Sequence, residues 1–343
     1  MTPDELLRSL RLPVVAAPMF LVSGPELVVA AAQAGILGAF PTQNCRTPEQ
    51  LDEWLGLISA DAGAAPWAVN LITHRTNGRL ADDLALVAQH RPPVVITALG
   101  SPRPVMEVVK GYGGLVVADV VDLALARKAI AAGVDGLACI SAGAGGHTGH
   151  LSPFAFVSAV REIFDGLVTV GGGIADGAGV AGAVAAGADL VYLGTRFLAT
   201  TESRAADAYK QMVVDHGPDD LVVSDGITGA DASWLRPSLI AHGLDPDRLA
   251  GEAAPGGARA GGRAGHRDYD VRDYDVAVSE AKRWSELWAA GQGLQSIRSV
   301  APVAEVVDTL EREFYTAADR LATVAGSRRR GGDVVGRGVG PAS

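Results

Sequence analysis

His147 draws attention through its setting. It lies in "SAGAGGHTGH", residues 141–150, where four of the seven residues from Gly143 to Gly149 are glycine. Imidazole is the side chain whose ordinary pKa best suits proton transfer near neutrality. Flanking glycines let the backbone approach a flat ligand and present the ring without steric bulk. The structural alternative is a loop histidine bonded to a backbone carbonyl. A second pattern is "VGGGIADG", 170–177, followed by "LGTRF", 193–197. Backbone N–H groups of Gly172, Gly173, Gly194 and Thr195 could cradle a dianionic phosphate there, with the Thr195 hydroxyl as a further donor. Arg196 either adds charge to that cradle or joins a surface ion pair. "GGGIADG" lacks the spacing of the dinucleotide fingerprint G-x-G-x-x-G.

Asn70 sits in the apolar run "AVNLI". A buried amide without partners is costly, so either neighbouring backbone or the polar edge of a cofactor ring must satisfy it. Cys139 falls inside an apolar segment and reads as core. The loop beyond it holds no cysteine, which argues against the thioimidate chemistry of the inosine-monophosphate dehydrogenases. Metal-ligand spacing is absent. Trp284 and Trp288 have helical spacing and read as packing, while the turn "GQG" that follows could return Gln292 to the site.

These groups need a scaffold, and the chain repeats one. "AAQAGILGAF" (31–40), "AAGVDGLACI" (131–140) and "AAGADLVYLG" (185–194) each end an Ala-rich helical pattern at a glycine and run into an apolar strand. Continuously apolar strands are buried on both faces, and helix–strand repeats imply parallel strands with right-handed crossovers. Such strands begin near residues 13, 36, 67, 93, 114, 136, 167 and 190. Eight βα units predict an α/β fold, a (β/α)8 TIM barrel, in preference to an open doubly wound sheet. Reactive groups of such barrels lie at the C-terminal strand ends. "APM" (17–19) closes the first strand, His147 follows the sixth, and the two glycine patterns follow the seventh and eighth. Ser152-Pro153 reads as N-cap and first helical residue, which brackets the His147 loop. After Thr201 the grammar changes. Residues 202–294 are expected to form a small inserted helical cap domain, with a Gly/Ala/Arg linker at 251–270. The barrel domain comprises 1–201 and 295–325, and 326–343, with its Arg328–Arg330 cluster, reads as a disordered tail.

The 343 residues are 48% apolar and 20% charged, enough for a large core. Net charge is −10, without a basic stripe in the folded part, so no nucleic-acid partner is expected. Two cysteines build no disulfide framework, no apolar run is long enough to span a membrane, and "MTPDELLRSLRLP" lacks a signal-peptide core. A cytoplasmic protein is expected, as a monomer or a homo-oligomer.

"AGGHTG", "GGIADG" and "GTRFLAT", in this order, resemble motifs of the nitronate monooxygenases, formerly called 2-nitropropane dioxygenases. "APM", the Asn in "VNL" and the late "AGQG" match as well, over roughly residues 13–310. The resemblance implies an FMN-dependent TIM barrel with an inserted helical domain. It implies that Pro18, Met19, Asn70, Gly145, Gly172, Gly173, Gly194 and Thr195 contact FMN and that His147 is the catalytic histidine. The implied reaction converts alkyl nitronates, or nitroalkanes, with O2 into a carbonyl compound and nitrite. One departure stands out: many members carry glutamate where this chain has Gly143. The same superfamily includes FMN-dependent NAD(P)H reductases of enoyl thioesters (on acyl carrier protein or CoA) and of quinones, and that reading stays open. A non-catalytic phosphate-ligand-binding barrel is a third reading, which the presence of His147 disfavours.

Overall fold

The computed structural model describes residues 1–252 and 285–335. Trp284, most of the Gly/Ala/Arg linker and residues 336–343 lie outside them. Eight parallel strands close a barrel in the order β1-β2-β3-β4-β5-β6-β8-β9. They are β1 (Val14–Ala16), β2 (Leu37–Pro41), β3 (Trp67–Ile72), β4 (Val94–Ala98), β5 (Leu115–Val120), β6 (Gly136–Ile140), β8 (Leu167–Gly171) and β9 (Leu190–Leu193). The eight apolar segments singled out in the sequence are these strands. β7 (Gly146–His147) stands apart from the barrel.

Side chains alternate across each strand. Val15, Ala68, Ile96, Val117 and Leu167 fill the barrel interior, while Val14, Val69, Val95, Val116 and Val168 face the surrounding helices. α1 (Pro3–Ser9), held by the Thr2–Glu5 capping box, inserts Leu6 into the interior cluster. That seals the end where the strands begin and leaves the other end for chemistry.

The crossover helices are α2 (Pro25–Gln33), α3 (Pro48–Ala62), α4 (Leu80–His90), α5 (Arg103–Gly111), α6 (Leu123–Ala131), α7 (Pro153–Arg161) and α8 (Gly177–Ala185). Ser152 caps α7 through Ala155 N–H with Pro153 at its first turn, and Asp122 and Asp176 cap α6 and α8. Gly35, Gly133 and Gly187, the glycines that end the three repeats, all have positive φ. β9 leads into a short α9 (Thr195–Leu198) and then the insert.

The insert contains α10 (Asp207–Asp215), β10 (Leu221–Ser224), β11 (Ala232–Leu235), α11 (Arg236–Ala241) and α12 (Pro246–Glu252). Its hairpin is an addition, because β10 and β11 pair antiparallel and β11 pairs in turn with β7. The last helix, α13 (Val303–Val335), packs between α8 and α2 and closes the helical ring, with Arg11 paired to Asp308 and Glu311. It runs beyond residue 326, so its final turns occupy part of the stretch expected to be a disordered tail.

Candidate active site

The C-terminal end of the barrel carries Met19, Asn70, His147 and the glycine loops after β8 and β9, and several polar atoms there are poorly satisfied. Asn70 lies two residues beyond the interior-facing Ala68 on β3, is 6% exposed, and its Nδ2 has no hydrogen-bond partner among the described residues. Asp119 on β5 and Tyr192 on β9 occupy the same inward face, following Val117 and Leu190. Their side chains interact electrostatically, yet Asp119 Oδ1 and Tyr192 Oη have no aligned partner among the described residues. Burial pushes the Asp119 carboxyl up to about 7 against a smaller opposing effect of Tyr192. Burial, and then the neighbouring carboxylate, push the Tyr192 phenol well above its usual range. A buried unpaired polar atom costs about 1–3 kcal/mol. Three of them around one barrel mouth describe a place built for a polar ligand. Asp119 escaped the sequence reading, although a lone Asp in "LVVADVV" carries the same signal as the Asn in "AVNLI".

His147 is held from two sides. Leu151 carbonyl accepts from Ala142 N–H at 2.7 Å, and Ser141 carbonyl accepts from the Thr148 hydroxyl at 3.1 Å, which closes the loop on itself. Outside, β7 adds to the insert's sheet, with His147 opposite Ala232 and Gly146 opposite Ser233. The imidazole keeps solvent-accessible surface although protein crowds most sides, as befits a group lining a recess. The crowding desolvates the charged form and lowers its pKa from 6.5.

A strap formed by residues 288–293 knits this loop to the rest. Ala290 carbonyl accepts from Ser233 Oγ at 2.8 Å, Gly291 N–H donates to Thr195 Oγ1 at 2.9 Å, and Gln292 N–H donates to Gly143 carbonyl at 2.9 Å. Gly143 carbonyl also accepts from Gly173 N–H at 2.9 Å. One carbonyl therefore clips the His147 loop to both the strap and the loop after β8. Gly143 has φ +87°, and a Cβ on it would meet Gln292 Oε1 at 2.8 Å. A glutamate at this position would be strained and displaced, so its absence is built into the local geometry. A Cβ on Gly145 would strike the strap backbone, Gly291 N at 2.6 Å and Ala290 C at 2.7 Å. The turn "GQG" does bring Gln292 against Gly143 and Gly173, as its position suggested.

The glycine cradle differs from expectation in one donor. The Gly173 N–H is committed to Gly143 and is not free for an anion. Thr195 Oγ1 accepts from Gly291, which leaves its own hydrogen to donate. In the short α9, Thr195 and Arg196 N–H precede the first intrahelical acceptor. A Cβ on Gly194 would meet Met19 Sδ at 3.7 Å and Ala17 Cβ at 4.0 Å, ordinary contacts, so Met19 lies beside Gly194 at the ends of the paired strands β1 and β9. Pro18 is partly buried beside Met19 in the loop after β1. Arg196 makes no ion pair among the described residues, its Nη1 is unpartnered, and burial lowers its pKa despite Glu313 nearby. Cys139 is fully buried on the outward face of β6, and burial pushes its thiol up to about 12, which leaves it inert at neutral pH. Trp288 stacks on Tyr209 with ring centroids 5.0 Å apart, the packing role its spacing suggested. Among the described residues no metal-holding cluster of His, Cys, Asp or Glu exists, and no helix is long and apolar enough to cross a membrane.

A closed eight-stranded barrel with a histidine loop, buried unpaired polar atoms and glycine-rich loops at its C-terminal mouth defines a TIM-barrel enzyme. The family model for nitronate monooxygenase matches residues 62–313. A nitronate monooxygenase of Paraburkholderia phytofirmans is 28% identical, over 91% of this chain and 95% of its own. A (3aS,4S,5R,7aS)-5-hydroxy-7a-methyl-1-oxo-octahydro-1H-indene-4-carboxyl-CoA dehydrogenase of Mycobacterium tuberculosis is 30% identical, over 74% and 71%. The solved nitroalkane oxidase of Streptomyces ansochromogenes superposes with a TM-score of 0.73 at 25% identity, over 92% of this chain and 99% of that one. The chain belongs to the nitronate monooxygenase family and is an oxidoreductase.

Proposed function

We propose that the barrel mouth holds FMN and oxidises alkyl nitronates with O2, two nitronates consuming one O2 overall, so that each oxygen atom of O2 becomes a carbonyl oxygen and each nitrogen leaves as nitrite. The observation that carries this reading is the set of buried, unpartnered atoms Asn70 Nδ2, Asp119 Oδ1 and Tyr192 Oη. They suit the donor and acceptor edge of a flat heterocycle that fills the mouth. Gly172, Gly194 and Thr195 would take the phosphate, with the Thr195 hydroxyl and the buried Arg196 guanidinium as added donors, and Pro18, Met19 and Gly145 would border the ring. Gly173 acts through the clip to Gly143. The flavin supplies the electron transfer that neither nitronate nor O2 can accomplish with a side chain alone.

The protein's own residues do the rest. Through one ring nitrogen, a neutral His147 would donate an N–H to the anionic nitronate oxygen in one tautomer and take an α-proton from a neutral nitroalkane in the other. Its lowered pKa keeps that neutral form dominant at pH 7. The strap and the insert cover the mouth and limit water around the reacting carbon. The family model and the P. phytofirmans relative support this reading.

A second reading is favoured by the M. tuberculosis relative, whose name places a CoA thioester in its substrate. Under it, the same mouth reduces or oxidises an acyl thioester or a quinone, with NAD(P)H as the partner in reduction. Anaerobic stopped-flow absorbance separates the two. Mixing with propyl-2-nitronate is expected to change the flavin spectrum rapidly while NADH leaves it unchanged. Bleaching by NADH and silence with nitronate would overturn the first reading in favour of the second.

A further inference from the structure

A second cavity, of about 410 Å³, opens beside the mouth between the loops that follow β1 and β2. Its walls are Leu21, Ser23, Asn44, Arg46, Gln50, Trp54 and Arg204. None of the chemistry above uses it.

Its construction is deliberate in three respects. First, two guanidiniums converge on it in a chain of net charge −10, and among the described residues neither lies within ion-pair distance of a carboxylate. Second, Arg204 is oriented rather than loose: its guanidinium sits 5.0 Å from the centre of the Trp54 ring, and Trp54 is 6% exposed. Stacking on Trp54 leaves the guanidinium N–H groups in the ring's periphery for an acceptor, because a stacked guanidinium keeps its in-plane donors. Third, the wall is held under strain. Leu21 has φ +62° and is 39% exposed, an unfavourable conformation for a leucine and a costly exposure. Asn44 enforces it: Oδ1 accepts from Leu21 N–H at 2.8 Å, and Nδ2 donates to Met19 carbonyl at 3.0 Å and Ser23 carbonyl at 2.7 Å. Backbone strain held by a dedicated side chain clusters at ligand sites.

The same Asn44 bonds join the cavity to the mouth, because Met19 lies beside Gly194 there. A ligand gripped by Arg46 and Arg204 therefore has a short path along Leu21 and Met19 to the reacting centre. Paired guanidiniums, with the Gln50 amide beside them, suit the charge and the acceptor oxygens of a diphosphate. We propose that this cavity is a diphosphate subsite, which holds the nucleotide tail of a substrate whose other end reacts in the barrel mouth. Two molecules share that chemistry, a coenzyme A thioester and a nicotinamide dinucleotide. The inference rests on the second reading above, in which a thioester or NAD(P)H reacts in the mouth, because an alkyl nitronate carries no diphosphate.

The test is isothermal titration of the purified, flavin-loaded full chain with coenzyme A, NADH, NADPH and inorganic pyrophosphate, beside Arg46→Ala and Arg204→Lys. Arg46 is exposed and its replacement leaves the packing intact, and lysine at 204 keeps the charge while removing the fork. At least one of the nucleotides is expected to bind, about tenfold or more weaker in Arg46→Ala, with pyrophosphate competing and added salt weakening the complex. Loss for coenzyme A alone identifies a thioester, and loss for NADH or NADPH alone identifies a dinucleotide. No binding by any of the four, or binding undiminished in both variants, overturns the subsite. Nitronate turnover measured on the same preparations reports separately on the reaction proposed for the mouth.

Discussion

At the residue scale, the site turns on titratable groups in unusual surroundings. His147→Ala is expected to retain flavin and to lose about 10²–10⁴ in turnover of neutral nitroalkanes, the usual worth of a positioned base. Unchanged kinetics would remove the ring from the mechanism. Because its pKa is lowered, the basic form persists into more acidic solution. The acid limb of kcat/KM for a nitroalkane should therefore fall below pH 6.5 and vanish in the variant. Asp119 shifts in the other direction. Its folded pKa, about 7, exceeds that of the unfolded chain. The contribution it makes to stability is full at acid pH, below the unfolded value, and is lost as pH rises through 7. Asp119→Asn should flatten the fall in Tm between pH 5 and pH 8; an identical fall in both proteins would show that the carboxyl is not desolvated.

At the element scale, loops that look alike in sequence do different work. A methyl group on Gly194 meets Met19 and Ala17 only at ordinary contact distance, so Gly194→Ala should leave Tm within about 1 °C of the parent while reducing flavin retention, since it crowds Met19 and the loop proposed to take the phosphate. Full flavin occupancy in that variant would remove the loop after β9 from the cradle. Gly143→Glu, which introduces the glutamate of the motif this loop resembles, should behave in the opposite way. It forces a side chain into a φ of +87° against Gln292 and breaks the clip to Gly173, so Tm falls by several degrees and activity falls with it. Gain of activity in Gly143→Glu would mean that the loop relaxes to accept it.

At the scale of the whole molecule, the insert is part of the site. His147 is the end strand of a sheet whose other members belong to the insert, and Trp234 on β11 is fully buried among Val222, Leu239 and Leu287. Trp234→Ala should cost about 3–5 kcal/mol of insert stability. Turnover is expected to drop far more than flavin content, because the cradle after β8 and β9 belongs to the barrel. Equal losses of flavin and turnover would show that the two units fold as one.

Much of this was legible in the residues alone, and the reason is local. Buried parallel strands are continuously apolar, glycines end the helices before them, and Ser152-Pro153 announces a helix start, so the barrel and the loops at its mouth follow from short-range patterns. Asn70 was conspicuous because an amide in an apolar run needs a partner. The contacts that short-range pattern does not mark are long-range. Gly143 and Gln292, far apart in the chain, share a hydrogen bond; Gly173 donates inward and not to a ligand; Asp119 and Tyr192 meet across the barrel; and β11 supplies the strand that steadies His147. Such contacts depend on loop closure over long separations, which leaves no periodic mark in the sequence. Short-range pattern specified a barrel with a histidine in a glycine-rich loop at its mouth; long-range packing settled which of the neighbouring groups remain unpaired and so able to meet a ligand.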